Sequence, residues 1–397
     1  MPPANPSSIP YWRLSGFYGF YFASLGALVP YWGLYLKSQG FNARDIGTLM
    51  AIIMATKIIS PNIWGWIADH TGQRMRIVRI GCLFAALSFA GVFLQSGFWW
   101  LLLVMLLFSF FWNAALPQFE ATTFNHLGED THRYSNIRLW GSIGFIISVS
   151  ALGPLLDRMG AQILPVIIVL LFAGIWVSSL MVPEQAARHA SIKGESLMQV
   201  LRKPVVLALL VVCFLMQMSH GPYYTFYTIY MEGYGYSRSV IGQLWALGVI
   251  AEVVVFLFMH ILMPRLGVRH LLIASLFLAA CRWLMIGLFP QVVWIVIVAQ
   301  ILHAASFGIY HACAIQLIHR YFAGRHQGKG QALYSSLSFG AGGAIGSFYS
   351  GMAWDTLSPQ IVFMTASAIS LAAMLIAMIW IQSTPRAPVV SEYPLGH

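Results

Sequence analysis

The chain has 397 residues, 59% of them hydrophobic and only 9% charged. A soluble domain carries roughly 25% charged residues, so this composition excludes a protein with a fully hydrated surface. The net charge of +10 does not point to nucleic acid, because the basic residues lie in short loops between apolar runs, the pattern of membrane topology.

In chain order the apolar runs fall at 12–36, 46–68, 77–95, 98–124, 136–156, 161–182, 204–231, 239–263, 271–289, 291–318, 330–352 and 359–381. Runs of about 20 residues are long enough to cross a hydrocarbon core of ~30 Å. The fold class expected is therefore an all-α membrane protein of twelve transmembrane helices. The start, MPPANPSSIPYWR, has neither a basic n-region nor a small-residue cleavage site, so the first run is expected to remain a span. The one longer polar stretch, 183–203, falls between the sixth and seventh runs. It divides the chain into an N-terminal half (1–182), a linker (183–203), a C-terminal half (204–382) and a tail (383–397).

With both termini on one side, that side holds Arg13, Arg74, Arg76, Arg79, Arg133, Arg188, Lys193, Arg202, Lys203, Arg265, Arg269, Arg320, Arg325, Lys329 and Arg386. The other side holds only Lys37, Arg44, Arg158 and Arg238. This asymmetry predicts cytoplasmic termini. The halves are also related in sequence. Gly40-Phe41, Ile46-Gly47, Leu49, Gly72 and Arg74 recur as Gly235-Tyr236, Ile241-Gly242, Leu244, Gly267 and Arg269, at an offset of 195. Leu139-Trp140 and Ser142 recur as Leu333-Tyr334 and Ser336 at an offset of 194. A duplicated six-helix unit places a substrate between the repeats, near the membrane midplane.

The loop after the second run reads Gly65-Trp-Ile-Ala-Asp69-His-Thr-Gly72-Gln-Arg74-Met-Arg76. It resembles the major facilitator signature, in which Gly65, Asp69, Gly72 and Arg74 would form a conformational gate. Within that superfamily the chain is similar to the phenylpropionate permease group and, more distantly, to the oligosaccharide:proton symporters. The resembling stretches are Arg138-Leu-Trp-Gly-Ser-Ile-Gly-Phe145, His220-Gly-Pro-Tyr-Tyr-Thr-Phe-Tyr227 and Trp245-Ala-Leu-Gly-Val-Ile-Ala-Glu252-Val, followed by Arg282-Trp-Leu-Met-Ile-Gly287 and Gln300-Ile-Leu-His303 with His311. The resemblance implies proton-coupled uptake of a small organic solute through a bacterial inner membrane, with aromatic carboxylates such as 3-phenylpropionate as candidates. It also implies a substrate role for an acid and an arginine at Glu120 and Arg138. One departure matters: the sugar symporters carry a proton-handling carboxylate one turn beyond the histidine of helix ten, where this chain has Ser306.

A charge inside a span usually faces a cavity or a partner. Lys57, Glu120, Arg138, Glu252 and Arg282 are those charges, and His220, His303 and His311 add groups that titrate near neutrality. Lys57 and Glu252 are equivalent at the 195 offset. Two readings stay open for them: an anion contact with a proton-exchanging carboxyl, or a salt bridge tying the halves together. Glu120 and Arg138 are placed to meet across one short turn, either in the substrate site or in a gate. Arg282 would compensate Glu252 or bind a carboxylate. His303 and His311, eight apart on an ideal helix, would sit roughly 12 Å apart and about 80° around it, as possible steps of a proton route. Trp140, Phe145, Tyr223 and Tyr227 offer aromatic faces, which stack on benzene and sugar rings alike.

Three cations against two carboxylates favour a small monocarboxylate over a neutral sugar or nucleoside, and disfavour a lipophilic drug cation. The partners expected are the solute, a proton and the bilayer, with a monomeric carrier and no nucleic acid. Cys82, Cys213, Cys281 and Cys313 form no CxxC pair and no metal or cofactor is expected. No GxSxG, HExxH or P-loop pattern supports a membrane-bound enzyme.

Overall fold

In lipid every backbone polar group must be satisfied within the protein, so apolar runs of this length fold as helices. The computed structural model describes residues 9–185, 197–322 and 326–382. The middle of the predicted linker, the predicted tail and the basic residues Arg188, Lys193, Arg325 and Arg386 lie outside the described residues. Twelve long helices are present among those described: α1 Tyr11–Ser38, α2 Ala43–Thr71, α3 Arg74–Phe93, α4 Phe98–Leu127, α5 Tyr134–Met159, α6 Leu164–Met181, α7 Pro204–Gly233, α8 Arg238–Leu266, α9 Val268–Leu288, α10 Val293–Tyr321, α11 (327–354) and α12 Pro359–Trp380. Every predicted end falls within three residues of the observed one. By length and composition, ten of these helices can cross a membrane; α1 and α11 fall below that level of apolarity. Both are rich in Gly, Ser and Tyr, and α1 is buried along most of its length, where protein rather than lipid surrounds it.

The sequence repeat is also a backbone repeat. Gly40 and Gly235, 195 apart, both take φ +87°, and Gly72 and Gly267 take +68° and +79°, a left-handed region closed to most residues. The side chains of Asn42 and Ser237, again 195 apart, cap α2 and α8 by accepting from the amides of Asp45 and Val240.

The two sets of six helices meet most closely at the face bearing the 39–42 loop. There α1 packs on α7, α2 on α11 and α5 on α8. Tyr31 donates to the Val149 carbonyl at 2.9 Å, inside the first half, and Gly242 of α8 packs against both. One buried core runs through α1–α6 and into the portions of α7–α12 nearest this face, including Tyr223, Tyr230, Trp245, Trp283, Trp354 and Phe363. The far ends of α7–α12 form their own buried cluster, with Leu209, Cys213, Tyr310, Leu317, Tyr334 and Ala377. The halves thus share a core at one face and not at the other. Gly47 makes the tight α2–α11 approach possible: a Cβ there would lie 2.6 Å from Gly351 Cα and 2.8 Å from the Ser347 carbonyl oxygen. Gly47→Val is expected to hold this face apart, which a cross-linking assay between cysteines placed on α2 and α11 would read as lost coupling. Unchanged cross-linking would count against the contact.

Candidate functional site

A buried polar cluster lies in the second half, on α7, α9 and α10. Arg282 of α9 is fully buried. Its Nε donates to the Ala299 carbonyl at 3.0 Å and its Nη1 to Ser306 Oγ at 3.1 Å. Its guanidinium lies 4.2 Å from the centre of the Tyr223 ring and 4.6 Å from that of Trp283, a favourable cation–π setting. Tyr223 in turn donates to Gln300 Oε1 at 2.9 Å and packs against Trp245 with centroids 4.3 Å apart. Arg282 Nη2, Gln300 Nε2, His220 Nε2, His303 Nδ1 and the Tyr227 hydroxyl find no hydrogen-bond partner among the described residues. An unpaired buried polar group costs about 1–3 kcal/mol, so a cluster of them calls for a polar occupant.

Glu252 of α8, half-buried, faces α10, with Oε2 3.5 Å from His303 Nε2. It does not pair with Arg282, whose hydrogen bonds go to α10. Between the two histidines lies Phe307, its ring stacked on His303 at 5.4 Å and on His311 at 5.8 Å, with interplanar angles of 10° and 5°. His311 Nδ1 then meets the Tyr334 hydroxyl at 2.9 Å. The expected 80° offset is corrected here. Residues Ala304–Ile309 form a π-helical segment, whose wider turn brings 303, 307 and 311 onto one face. Such segments interrupt α-helices frequently at functional positions. A second one, Ser336–Gly342, lies in α11 and packs against α2 at Lys57 and Ile58.

Lys57 is half-buried and makes no hydrogen bond or ion pair among the described residues. The salt bridge to Glu252 is therefore absent in this conformation. Glu120 and Arg138 also do not bond directly. Glu120 accepts from the Tyr134 hydroxyl at 3.2 Å, while the Arg138 guanidinium sits 3.8 Å from the centre of the Phe22 ring and 5.6 Å from that of Tyr18. They still share one aromatic pocket, since Tyr134 packs edge-on against Tyr18 with centroids 6.4 Å apart. Trp140 is elsewhere. Two residues on from Arg138, it faces the other way, donating to the Tyr11 hydroxyl at 3.0 Å and packing against Trp12. Phe145 is buried in the α1–α5 packing, its backbone against Gly26.

The 65–76 segment forms a compact turn. Gly72, in the left-handed conformation, ends α2, and Arg74 bridges Asp69 at 2.5 Å and Gln118 Oε1 at 2.6 Å. At the equivalent place in the second half Pro264 replaces Asp69, and Arg269 instead caps α12 through the Met378 and Ile381 carbonyls. Among the described residues this turn is built once.

Residues 11–365 match the model of the MFS_1 like family. The chain belongs to this family. A probable 3-phenylpropionic acid transporter of Escherichia coli K12 is 29% identical over 91% of this chain and 96% of its own length. A maltose permease of Geobacillus stearothermophilus is 26% identical over 82% of this chain and 83% of its own. Among solved structures, the D323A mutant of the nucleoside transporter NupG shares the fold, with a TM-score of 0.82, 15% identity, and coverage of 94% of this chain and all of that one. This MFS_1 like protein is thus a multi-pass membrane transporter and not an enzyme.

Several site residues of this MFS_1 like transporter escape a reading of charges alone. Gln300 and Ser306 stand within or beside the resembling Gln300–His303 stretch, and Phe307 lies four residues from each histidine. Nothing local marks Phe22 or Tyr18 as the seat of Arg138, because that contact comes from α1.

Proposed function

We propose that this carrier takes up a small aromatic monocarboxylate, 3-phenylpropionate or a near analogue, together with a proton. The observation that carries the reading is Arg282. It is a fully buried guanidinium whose side-chain acceptor is the neutral Ser306, and among the described residues no carboxylate pairs with it. A buried cation of this kind gains most from an anion that it can grip with its planar fork. Lys57, also without a partner among the described residues, adds positive potential from the first half. Tyr223, Trp245 and Trp283 supply aromatic surface for a phenyl ring. The named substrate of the Escherichia coli relative fits that chemistry.

Transport then proceeds by alternating access, the halves 1–182 and 204–382 turning about the site while the 183–203 linker joins them. On this reading the carrier is an inner-membrane monomer with both termini in the cytoplasm, as the charge asymmetry favours, so the 39–42 face lies outside and the conformation described is closed to the outside. Substrate carboxylate binds Arg282, with Lys57 and Arg138 drawing it in. Glu252 takes the proton, in contact with His303 and near His311. The Asp69–Arg74 turn holds α2 and α3 as one body during the movement. In the opposite conformation Glu252 would hold a cation of the first half, and its neutralisation frees the halves to change state.

Glu252→Gln tests the coupling. In proteoliposomes it is expected to retain exchange of labelled for unlabelled substrate but to lose accumulation driven by an inward proton gradient. Undiminished accumulation would overturn Glu252 as the proton site. A sugar or nucleoside moved in place of the acid would overturn the substrate and leave the carrier.

A further inference from the structure

Outside the transport pathway, a groove of about 510 Å³ runs along the bundle surface between α1, α5 and α6. Its floor is opened by small residues, Gly16 and Ala23 of α1 and Ala151 of α5, and its walls carry Trp12, Trp140 and Leu171. Trp12 and Ile147 at its rim are 70% and 62% exposed, so in a bilayer the groove opens to lipid and not to water. From Trp12 to Ala23 along α1 is about 16 Å at 1.5 Å per residue, close to half of a ~30 Å hydrocarbon core. The groove is therefore as long as one leaflet is deep. The lining is apolar apart from two hydroxyls, Ser15 and Ser148, and neither has a partner among the described residues. Both hydroxyl oxygens are themselves buried beneath the groove floor, so the accessible lining is apolar along its length. At the headgroup end stands Arg13, next in sequence to Trp12. Its guanidinium is exposed and, among the described residues, makes one hydrogen bond, at 3.3 Å to the carbonyl of Met181, the last residue of α6.

We propose that this groove binds one acyl chain of a phospholipid from the leaflet at the N-terminal end of α1, with the phosphate held by Arg13. Apolar length, membrane exposure and a cation at the headgroup end select a phospholipid over an apolar partner helix. A helix would leave the Arg13 charge unanswered. The Trp12 and Trp140 rings, set edge-to-face 5.4 Å apart, form the collar through which the chain enters, as interfacial tryptophans do. An anionic headgroup binds more tightly than a zwitterionic one, because only the former carries net charge to Arg13.

Gly16 allows a clean test, since a Cβ at that position meets nothing within 4 Å and a larger side chain grows into the groove. Purified protein in detergent is titrated with phosphatidylglycerol or phosphatidylcholine and weighed intact by native mass spectrometry. The expected result is one retained phosphatidylglycerol per chain and weaker retention of phosphatidylcholine. Gly16→Phe is expected to cut retention about tenfold at an unchanged melting temperature. Arg13→Ala is expected to remove the preference for phosphatidylglycerol while keeping the chain site. If Gly16→Phe is folded and retains lipid as the parent does, the groove is not the site. If Gly16→Phe instead abolishes a dimer of this chain while lipid retention is unchanged, the occupant is a second copy and the proposal falls.

Discussion

Arg282→Ala is expected to raise the KM for 3-phenylpropionate by roughly 30- to 1000-fold in a proteoliposome uptake assay. Truncating one partner of a buried charged pair costs about 2–4 kcal/mol, and every 1.4 kcal/mol is tenfold. The change also removes a cation from the Tyr223 and Trp283 rings, so stacking of the substrate's own ring is disturbed as well. Arg282→Lys is expected to recover only part of the loss. An ammonium keeps the charge but cannot offer two parallel donors while still holding the Ala299 carbonyl and Ser306. A neutral substrate analogue in which an amide replaces the carboxylate should be indifferent to the alanine change. An unaltered KM for the acid in Arg282→Ala would remove this residue from the substrate site.

Asp157→Ala is expected to shift the balance of conformations away from closure at the 39–42 face. Asp157, at the end of α5, accepts from the amides of Arg238 and Ser239 at 2.9 Å each, and from the Ser239 hydroxyl. A residue of the first half thereby caps α8 of the second. Arg238 completes the latch by donating to the Leu156 carbonyl at 2.8 Å and bridging Glu232 at 3.0 Å. A helix cap with a favourable charge is worth about 1–2 kcal/mol where water competes for the same groups, or roughly 5- to 30-fold in population. Spin labels at Arg158→Cys and Gln291→Cys, both exposed, would report the change as a gain in the longer-distance component. An unchanged distance distribution would show that the contact does not bias the equilibrium. Asp157→Asn should fall between, since the amide keeps one acceptor and loses the charge.

Much of the fold was legible because membranes leave few choices. Apolar length sets the helices, and the repeat at 195 residues reappears in paired glycine conformations and paired helix caps. The Asp69–Gly72–Arg74 turn was equally legible, being local in sequence. The site was legible as a set of charges but not as a set of partners. Glu252 could be named as an intramembrane acid, yet its neighbour turned out to be His303 and not Lys57 or Arg282. The π segment of α10 explains the stacked histidines, and an ideal helical wheel cannot show it. Arg138 and Trp140 looked like one cluster because they are two residues apart, but neighbours at that spacing face different ways on a helix. Asp157, Phe22 and the groove by Gly16 depend on contacts between distant helices, for which the sequence carries no periodic signal.

The proposed activity is the joint movement of an aromatic monocarboxylate and a proton. Uptake of radiolabelled 3-phenylpropionate into proteoliposomes, with and without an inward proton gradient, tests it most directly. Accumulation is expected only with the gradient, lost in Arg282→Ala and strongly reduced in Lys57→Ala. No uptake of the acid beside gradient-driven uptake of a sugar or nucleoside would contradict it, as would accumulation of the acid that ignores the proton gradient.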